Sequence, residues 1–432
     1  MYPPRSSKYR EKKQEKQKRQ SRAWTIINLC LIVLIGLLFS YYFFAEDLGL
    51  IHNPDTNRAD EYSAVSDQLS VHNEGQTSET ITANQRFEGK EQAGSSTHNN
   101  ANPAKTDTLS DNQEKGDDHT VTLHFVGDVM FSGRVQDKLL IEGNDYPYRY
   151  VKERFLNDDL TVANLETPVT ARGTGAANKT YVFKSSPDAL AEMAKSGFDV
   201  VNAANNHILD QGQEGLLDTL KFIDLNKMKA IGAGRNQKEA YSPVYVERKG
   251  MKIALFGFSR VLPDSSWNAG ENKPGVAGVY NPPIAIEQIK KARKQADLVI
   301  VIIHWGTERV DTVDKNQSSL AHSFVEAGAD LVVGGHPHVM QGIEQYNNKW
   351  IVYSTGNFIF TKSTVPKTWE TAIFEAKCDK GRACSLKLIP YWAELAQPVP
   401  MNAKDSQALL KRVQSISSGI TIRQDGTVIS NR

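Results

Sequence analysis

Residues 296–306 read ADLVIVIIHWG: an unbroken apolar run from Leu298 to Ile303 that stops at His304. A strand apolar on both faces is one that packs on both faces, as in the parallel interior of an α/β sheet. Helix-like segments lie on either side, AIEQIKKARKQ (285–295) before it and SSLAHSFVEAGAD (318–330) after it. The next apolar run, LVVGGHPH (331–338), ends the same way, at His336 and His338. The ending recurs in HFVGD (124–128), TVANLE (161–166), VVNAANNH (200–207) and IVYSTGNF (351–358). Strands that each release a polar side chain at the carboxyl end gather those side chains at one sheet edge, where open α/β sheets place their sites.

The rest of the pattern supports a mixed sheet. VTLHFV (121–126) alternates as a half-buried strand does, and Asp210 to Leu225 carries Leu216, Leu217, Leu220 and Ile223 at helical spacing, with Asp210 placed to cap that helix. Hairpins are expected in SPVYVERKGMKIALFGFS, turning at Lys249-Gly250, and in IEQYNNKWIVYS. Alternating strands and helices early, with hairpins late, predict an α/β domain of two packed sheets with helices outside. Cys378 and Cys384 flank a turn between ETAIFEAK and SLKLIPYW. They either form a disulfide across that hairpin or stay as unpaired thiols, since the residues alone do not set the register.

The chain has 432 residues with a net charge of +1, and that balance hides an asymmetry. Residues 1–23 form a basic tail, in which nine Lys/Arg lie between Arg5 and Arg22. No charged residue follows until Glu46, so residues 24–45 are long enough for one transmembrane helix, with the tail cytoplasmic and the remainder outside the cell membrane. A cleaved signal peptide is the rival reading; the run is long for one and no small-x-small site precedes Glu46. Residues 46–118 are polar and read as a disordered linker. The folded domain is expected over 119–397, and 398–432 form a C-terminal extension with a helix-like SQALLKRVQSI and a hairpin at Gln424-Asp425-Gly426. The basic cluster belongs to a short tail beside the span, which argues against a nucleic-acid partner.

Asp128, Glu166, Asn206, His207, His304, His336 and His338 form a mixed oxygen and nitrogen donor set without thiolate. Such a set suits Mn, Fe or Zn, as one ion or as two bridged by a carboxylate. Taken singly, Asp128 reads as a turn cap and His304 as a core histidine; seven such residues gathered at one edge read as a site. Asp128, Asn206 and His207 are the catalytic candidates, with His207 protonating a leaving group. Asn164, Asn205, Lys179, Lys184 and Asn357 are candidates for holding an anionic substrate.

The ordered series GDVM, ANLETPVT, VVNAANNHILDQG, AIGAG, IIHWGTE, AGADLVVGGHPHV and YSTGNFIF, over about Val121 to Phe360, resembles the CapA (PgsA) poly-gamma-glutamate capsule biosynthesis family. The resemblance implies a calcineurin-like metallophosphoesterase architecture, a two-sheet sandwich flanked by helices. It also implies a membrane-anchored part in capsule polyglutamate synthesis or export. By that likeness Asp128 stands in the DxH motif, Glu166 where GDxxD offers a carboxylate, Asn206-His207 in GNHD/E, His304 as the lone histidine, and His336 and His338 in GHxH. One departure touches the donors: Met130 stands where DxH has its histidine. Gly335 and Thr355 depart too, without altering a ligand.

Three functions are therefore expected to compete. The first is a metal-dependent, hydrolase-like protein that makes or exports poly-gamma-glutamate or a similar anionic polymer. The second is a non-catalytic accessory or polymer-binding subunit of a synthase or export complex. The third is a phosphoesterase acting on cell-envelope phosphates.

Overall fold

The run that ends at His304 is a strand, Leu298–His304, buried at every residue. The computed structural model describes residues 120–177 and 179–431, which lie in one compact unit, Thr108–Arg432. The tail, the expected membrane span at 24–45 and the linker up to residue 118 fall outside the described residues. Among those described, no helix is long and apolar enough to cross a membrane.

The chain opens with β1 (Val121–Val129), α1 (Arg134–Glu142), α2 (Lys152–Leu156), β2 (Leu160–Leu165) and α3 (Asp188–Lys195). It continues through β3 (Val200–Asn202), α4 (Gly212–Leu225), β4 (Lys229–Ile231), β5 (Ala233–Gly234), α5 (Gln237–Tyr241), β6 (Val244–Arg248) and β7 (Met251–Ser259). Next come β8 (Gly275–Val276), α6 (Pro283–Arg293), β9 (Leu298–His304), α7 (Lys315–Ala327), β10 (Leu331–Gly335), β11 (Ile343–Tyr346) and β12 (Lys349–Val352). The last elements are β13 (Asn357–Ile359), β14 (Glu370–Cys378), β15 (Cys384–Glu394), β16 (Gln397–Pro400), α8 (Ala403–Ser415), β17 (Ile420–Ile422) and β18 (Thr427–Ser430).

The fold is a mixed α/β one built on two large sheets. The ten-stranded sheet runs β17-β18-β15-β14-β1-β2-β3-β4, with β13 also on β1 and β16 on β15. The six-stranded sheet runs β11-β12-β10-β9-β7-β6. Period two explains the packing. Leu123 and Phe125 of β1 meet Leu298, Ile300 and Ile302 of β9 between the sheets, while Val299, Val301 and Ile303 face the opposite side, toward α6 and α7. Each such side chain stabilises by about 1.5–3 kcal/mol when fully buried, which is why an apolar run sits still here and would not at a wet edge.

Both expected hairpins form. Lys249 and Gly250 turn β6 into β7, and Asn347 and Asn348 turn β11 into β12, all four at positive φ as two-residue turns between twisted strands require. Cys378 and Cys384 are bonded to each other, because the β14–β15 ladder sets them directly opposite. Residues 398–432 complete the larger sheet: Leu386 of β15 pairs with Val428 of β18, and Leu409, Leu410 and Val413 of α8 enter the core between the sheets.

Candidate metal centre

Strand register assembles the site. Asp128 on β1 lies beside Asn164 on β2 and beside Asn357 on β13, and His304 on β9 lies beside Gly335 on β10. The two sheets close on each other at this edge, where a Cβ at Gly335 would stand 3.0 Å from Asp128 Oδ1. At Gly127 a Cβ would stand 2.0 Å from the Gly356 carbonyl oxygen, so only glycine lets β1 pass β13 and deliver Asp128.

Asp128, Glu166 and His304 are fully buried, and His336 and Asn206 nearly so. His304 Nε2 has Asn206 Oδ1 at 2.9 Å, His336 Nδ1 at 3.1 Å and Glu166 Oε1 at 3.6 Å. His338 Nδ1 has Asn357 Oδ1 at 2.9 Å and Asp128 Oδ2 at 3.1 Å, and its Nε2 is 3.8 Å from Glu166 Oε1. Potential ligand atoms fall within 4.8 Å of one another in two sets that meet at Glu166: Glu166, His304 and His336, and Asp128, Glu166 and His338.

The donors fit a cation. Both Glu166 oxygens are buried with no hydrogen-bond partner among the described residues, while Asp128 Oδ2 has only the His338 imidazole beside it, and a buried carboxylate without a partner is costly. Burial, then the neighbouring Asp128 charge, pushes the Glu166 carboxyl well above its usual range. Burial and the adjoining histidines press His304 well below its usual value and His336 to about 3. Burial also opposes charge on His338, yet Glu166 and Asp128 outweigh it and hold that imidazole up to about 10. The cluster stabilises one positive charge at its centre and keeps the other imidazoles neutral, the form that ligates metal.

His207 stands apart from both sets. Its Nδ1 lies 2.7 Å from Asp210 Oδ2. Nδ1 is held between an acceptor, Asp210, and a donor, Lys179 Nζ at 3.1 Å, and Nε2 is the nitrogen that neither of them meets. The ring stacks on Phe183 at 4.3 Å. Asp210, expected to cap the next helix, instead holds this imidazole and accepts from the Phe183 amide at 2.7 Å, while α4 begins after Gln211 with no side-chain cap. Lys179 binds the same group: its Nζ donates to Asp210 Oδ1 and to the Asn206 carbonyl at 2.5 Å.

The remaining candidates separate. Asn164 and Asn205 sit behind the donors: Asn164 Nδ2 donates to Asp128 Oδ1 at 2.8 Å, and Asn205 Nδ2 donates to the Leu165 carbonyl at 2.8 Å. Asn202, unremarked in the sequence, joins them by donating to Asn164 Oδ1 at 3.1 Å. Asn357 orients His338 and also lines an open cavity of about 300 Å³ with Met130, Arg134, His207, Glu308 and Arg309. Lys184 is tied by its backbone amide to Ser132 Oγ at 3.3 Å and is not among the residues lining that cavity. A run of alternating amides at strand ends was a signal for the asparagine network; the spacing marked Asp210 only as a helix cap, and nothing in it marked Glu308.

The profile of the family described as "Bacterial capsule synthesis protein PGA_cap" matches residues 122–362, more than half of the chain. The "PGA biosynthesis protein CapA" of Bacillus subtilis (strain 168) is 33% identical over 67% of this chain and 76% of its own length. The "Capsule biosynthesis protein CapA" of Bacillus anthracis is 31% identical over 66% of this chain and 70% of its own. A "Probable polyglutamine synthesis accessory protein" of Mycobacterium tuberculosis (strain ATCC 25618 / H37Rv) is 30% identical over 46% of this chain and 55% of its own length. The matched segment spans every donor from Asp128 to His338, and the chain belongs to the CapA family of bacterial capsule synthesis proteins.

Proposed function

We propose that this chain is a membrane-anchored, extracytoplasmic protein that takes part in making or exporting poly-gamma-glutamate or a similar anionic polymer through a divalent-metal-dependent, hydrolase-like site. The single observation that carries the site is the buried Glu166 carboxylate, which lacks any hydrogen-bond partner among the described residues and is shared by two donor sets. The names of the relatives support the polymer, and the uncharged stretch at residues 24–45 supports the anchor. Two packed sheets agree with the calcineurin-like architecture that the motifs imply. The partners are the cell membrane and synthase subunits.

Asp128, Glu166, Asn206, His304, His336 and His338 would hold one or two Mn, Fe or Zn ions. Lewis acidity is what such an ion supplies when bound, lowering the pKa of water and polarising a phosphoryl or acyl oxygen. Once protonated at Nε2, His207 would pass that proton to the leaving group, with Asp210, accepting from Nδ1, holding the ring and stabilising the imidazolium. Phe183, stacked on the imidazole, limits water at its face, and Arg134 and Arg309 on the cavity wall attract an anion.

A second reading, a polymer-binding accessory subunit without turnover, is favoured by Met130, which puts a thioether where the resemblance expects a histidine. The test is elemental analysis of the full-length chain after loading with Mn, Fe or Zn, for wild type and His336→Ala/His338→Ala, followed by phosphoester and polyglutamate hydrolysis assays. Bound metal that the double variant loses, with turnover that His207→Ala lowers by about 10²–10⁴-fold at unchanged metal content, is the expected result. A wild-type chain that takes up no metal would sink the hydrolase reading and leave the binding subunit.

A further inference from the structure

A third set of ligand atoms lies within 4.8 Å of one another: Glu308, His336 and His338. It shares His336 with one of the buried sets and His338 with the other. Glu308 is exposed, but it is not adrift. Gly306 at φ 85 turns the chain just past β9, and the Arg309 amide donates to the Pro337 carbonyl at 2.7 Å. That bond straps residues 306–309 to the turn that carries His336 and His338. Glu308 then lines the same cavity as Met130, His207 and His338.

The set of Asp128, Glu166 and His338 offers three donors, one fewer than tetrahedral coordination needs. Met130, on the wall of the same cavity, offers a sulfur that is a poor ligand for hard or borderline ions and accepts from the Ser132 amide at 3.1 Å. Both Glu166 oxygens there lack a hydrogen-bond partner among the described residues. We infer that Glu308 is a further ligand: its carboxylate, grouped with His336 and His338 at the cavity mouth, gives an ion held by those histidines an oxygen donor from the cavity side and shifts the site toward hard, oxygen-preferring cations such as Mn²⁺. The inference rests on the metal-centre reading above. It adds a ligand that the motif comparison does not contain.

The experiment titrates Mn²⁺ into the full-length chain and follows free Mn²⁺ by electron paramagnetic resonance, which reads affinity and stoichiometry without any activity assay. Glu308→Gln is isosteric and exposed, so folding is expected to be unchanged by circular dichroism. At least one Mn²⁺ should bind about tenfold or more weakly in Glu308→Gln, on the scale of losses seen when groups supporting a metal are removed. Wild-type binding by Glu308→Gln would overturn the assignment while leaving the metal centre standing. Failure of the wild type itself to bind Mn²⁺ would remove the centre and this ligand together.

Discussion

Strand β10 has a fully buried carboxylate just before it and two histidines just after it, and its two ends are built on opposite principles. At the amino end, Asp330 meets Arg293 Nη1 at 2.5 Å, Lys349 Nζ at 2.9 Å, Arg382 Nε at 2.9 Å and the Val299 amide at 3.0 Å. At the carboxyl end, Glu166, equally buried, finds only His304 at 3.6 Å and His338 at 3.8 Å and no hydrogen bond. One carboxylate is saturated by the chain's own cations, and the other, without a hydrogen-bond partner among the described residues, is the acid on which the proposed metal site rests. Burial alone therefore does not mark a functional acid; burial without partners does.

The largest expected effect breaks the saturated end. Asp330→Ala leaves three cations facing a void and should cost about 3–5 kcal/mol, the range for removing one partner from a buried ion pair, read by denaturant unfolding, with metal content per folded molecule unchanged. Glu166→Gln should do the reverse: metal is lost, while the metal-free protein is no less stable than wild type, since the amide replaces an acid whose charged form the metal-free fold disfavours. Loss of stability in Glu166→Gln without loss of metal would erase the contrast.

A smaller effect comes from the hairpin that feeds the Asp330 cluster. Arg382 lies in the turn closed by the Cys378–Cys384 bond, and Lys349 Nζ also donates to its carbonyl at 2.7 Å. Replacing both cysteines by serine should cost about 2 kcal/mol from the short closed loop, and less in an Asp330→Ala background, where Arg382 no longer has its partner. Equal costs in the two backgrounds would separate the disulfide from the ion cluster.

The smallest effect concerns a second saturated group. His124 has Asp158 at 2.6 Å on Nδ1 and Glu375 at 3.3 Å on Nε2, with Arg154 3.8 Å from Glu375. Burial lowers its pKa, but hydrogen bonds to Asp158 and Glu375 more than compensate and raise it above 6.5. The hydrogen bond from His124, against burial, holds Glu375 below 4.5. The histidine's contribution is therefore complete below pH 6.5 and fades as pH rises through the raised value. The glutamate's is complete above pH 4.5 and fades as pH falls through the depressed one. Unfolding free energy measured from pH 5 to 9 should fall on the alkaline side in wild type, and His124→Asn should flatten that limb.

Much of this was legible in particular residues. Leu298 to Ile303 had no polar break, so a doubly buried strand was the only comfortable place for it, and Lys249-Gly250 and Asn347-Asn348 announced their turns through residues that tolerate positive φ. The donors were legible because Asp128, Glu166, Asn206, His304, His336 and His338 each end an apolar run, where packing gives no reason for a polar side chain. Asp210 misled, because its spacing to the following helix matched a cap while its actual partners, Lys179 and Phe183, lie 31 and 27 positions away in sequence.

Local pattern determined which segments are strands, which residues end them and which chemistry those residues offer, since period, turn propensity and donor type are properties of short stretches. Only the tertiary structure decided that Cys378 faces Cys384, that Asn164 and Asn205 brace the donors from behind, that α8 and β18 complete the main sheet, and that Glu308 reaches the histidines. Each of these depends on register or on the approach of two sheets, and a contact between distant segments is set by how the whole core packs, which no short stretch of residues contains.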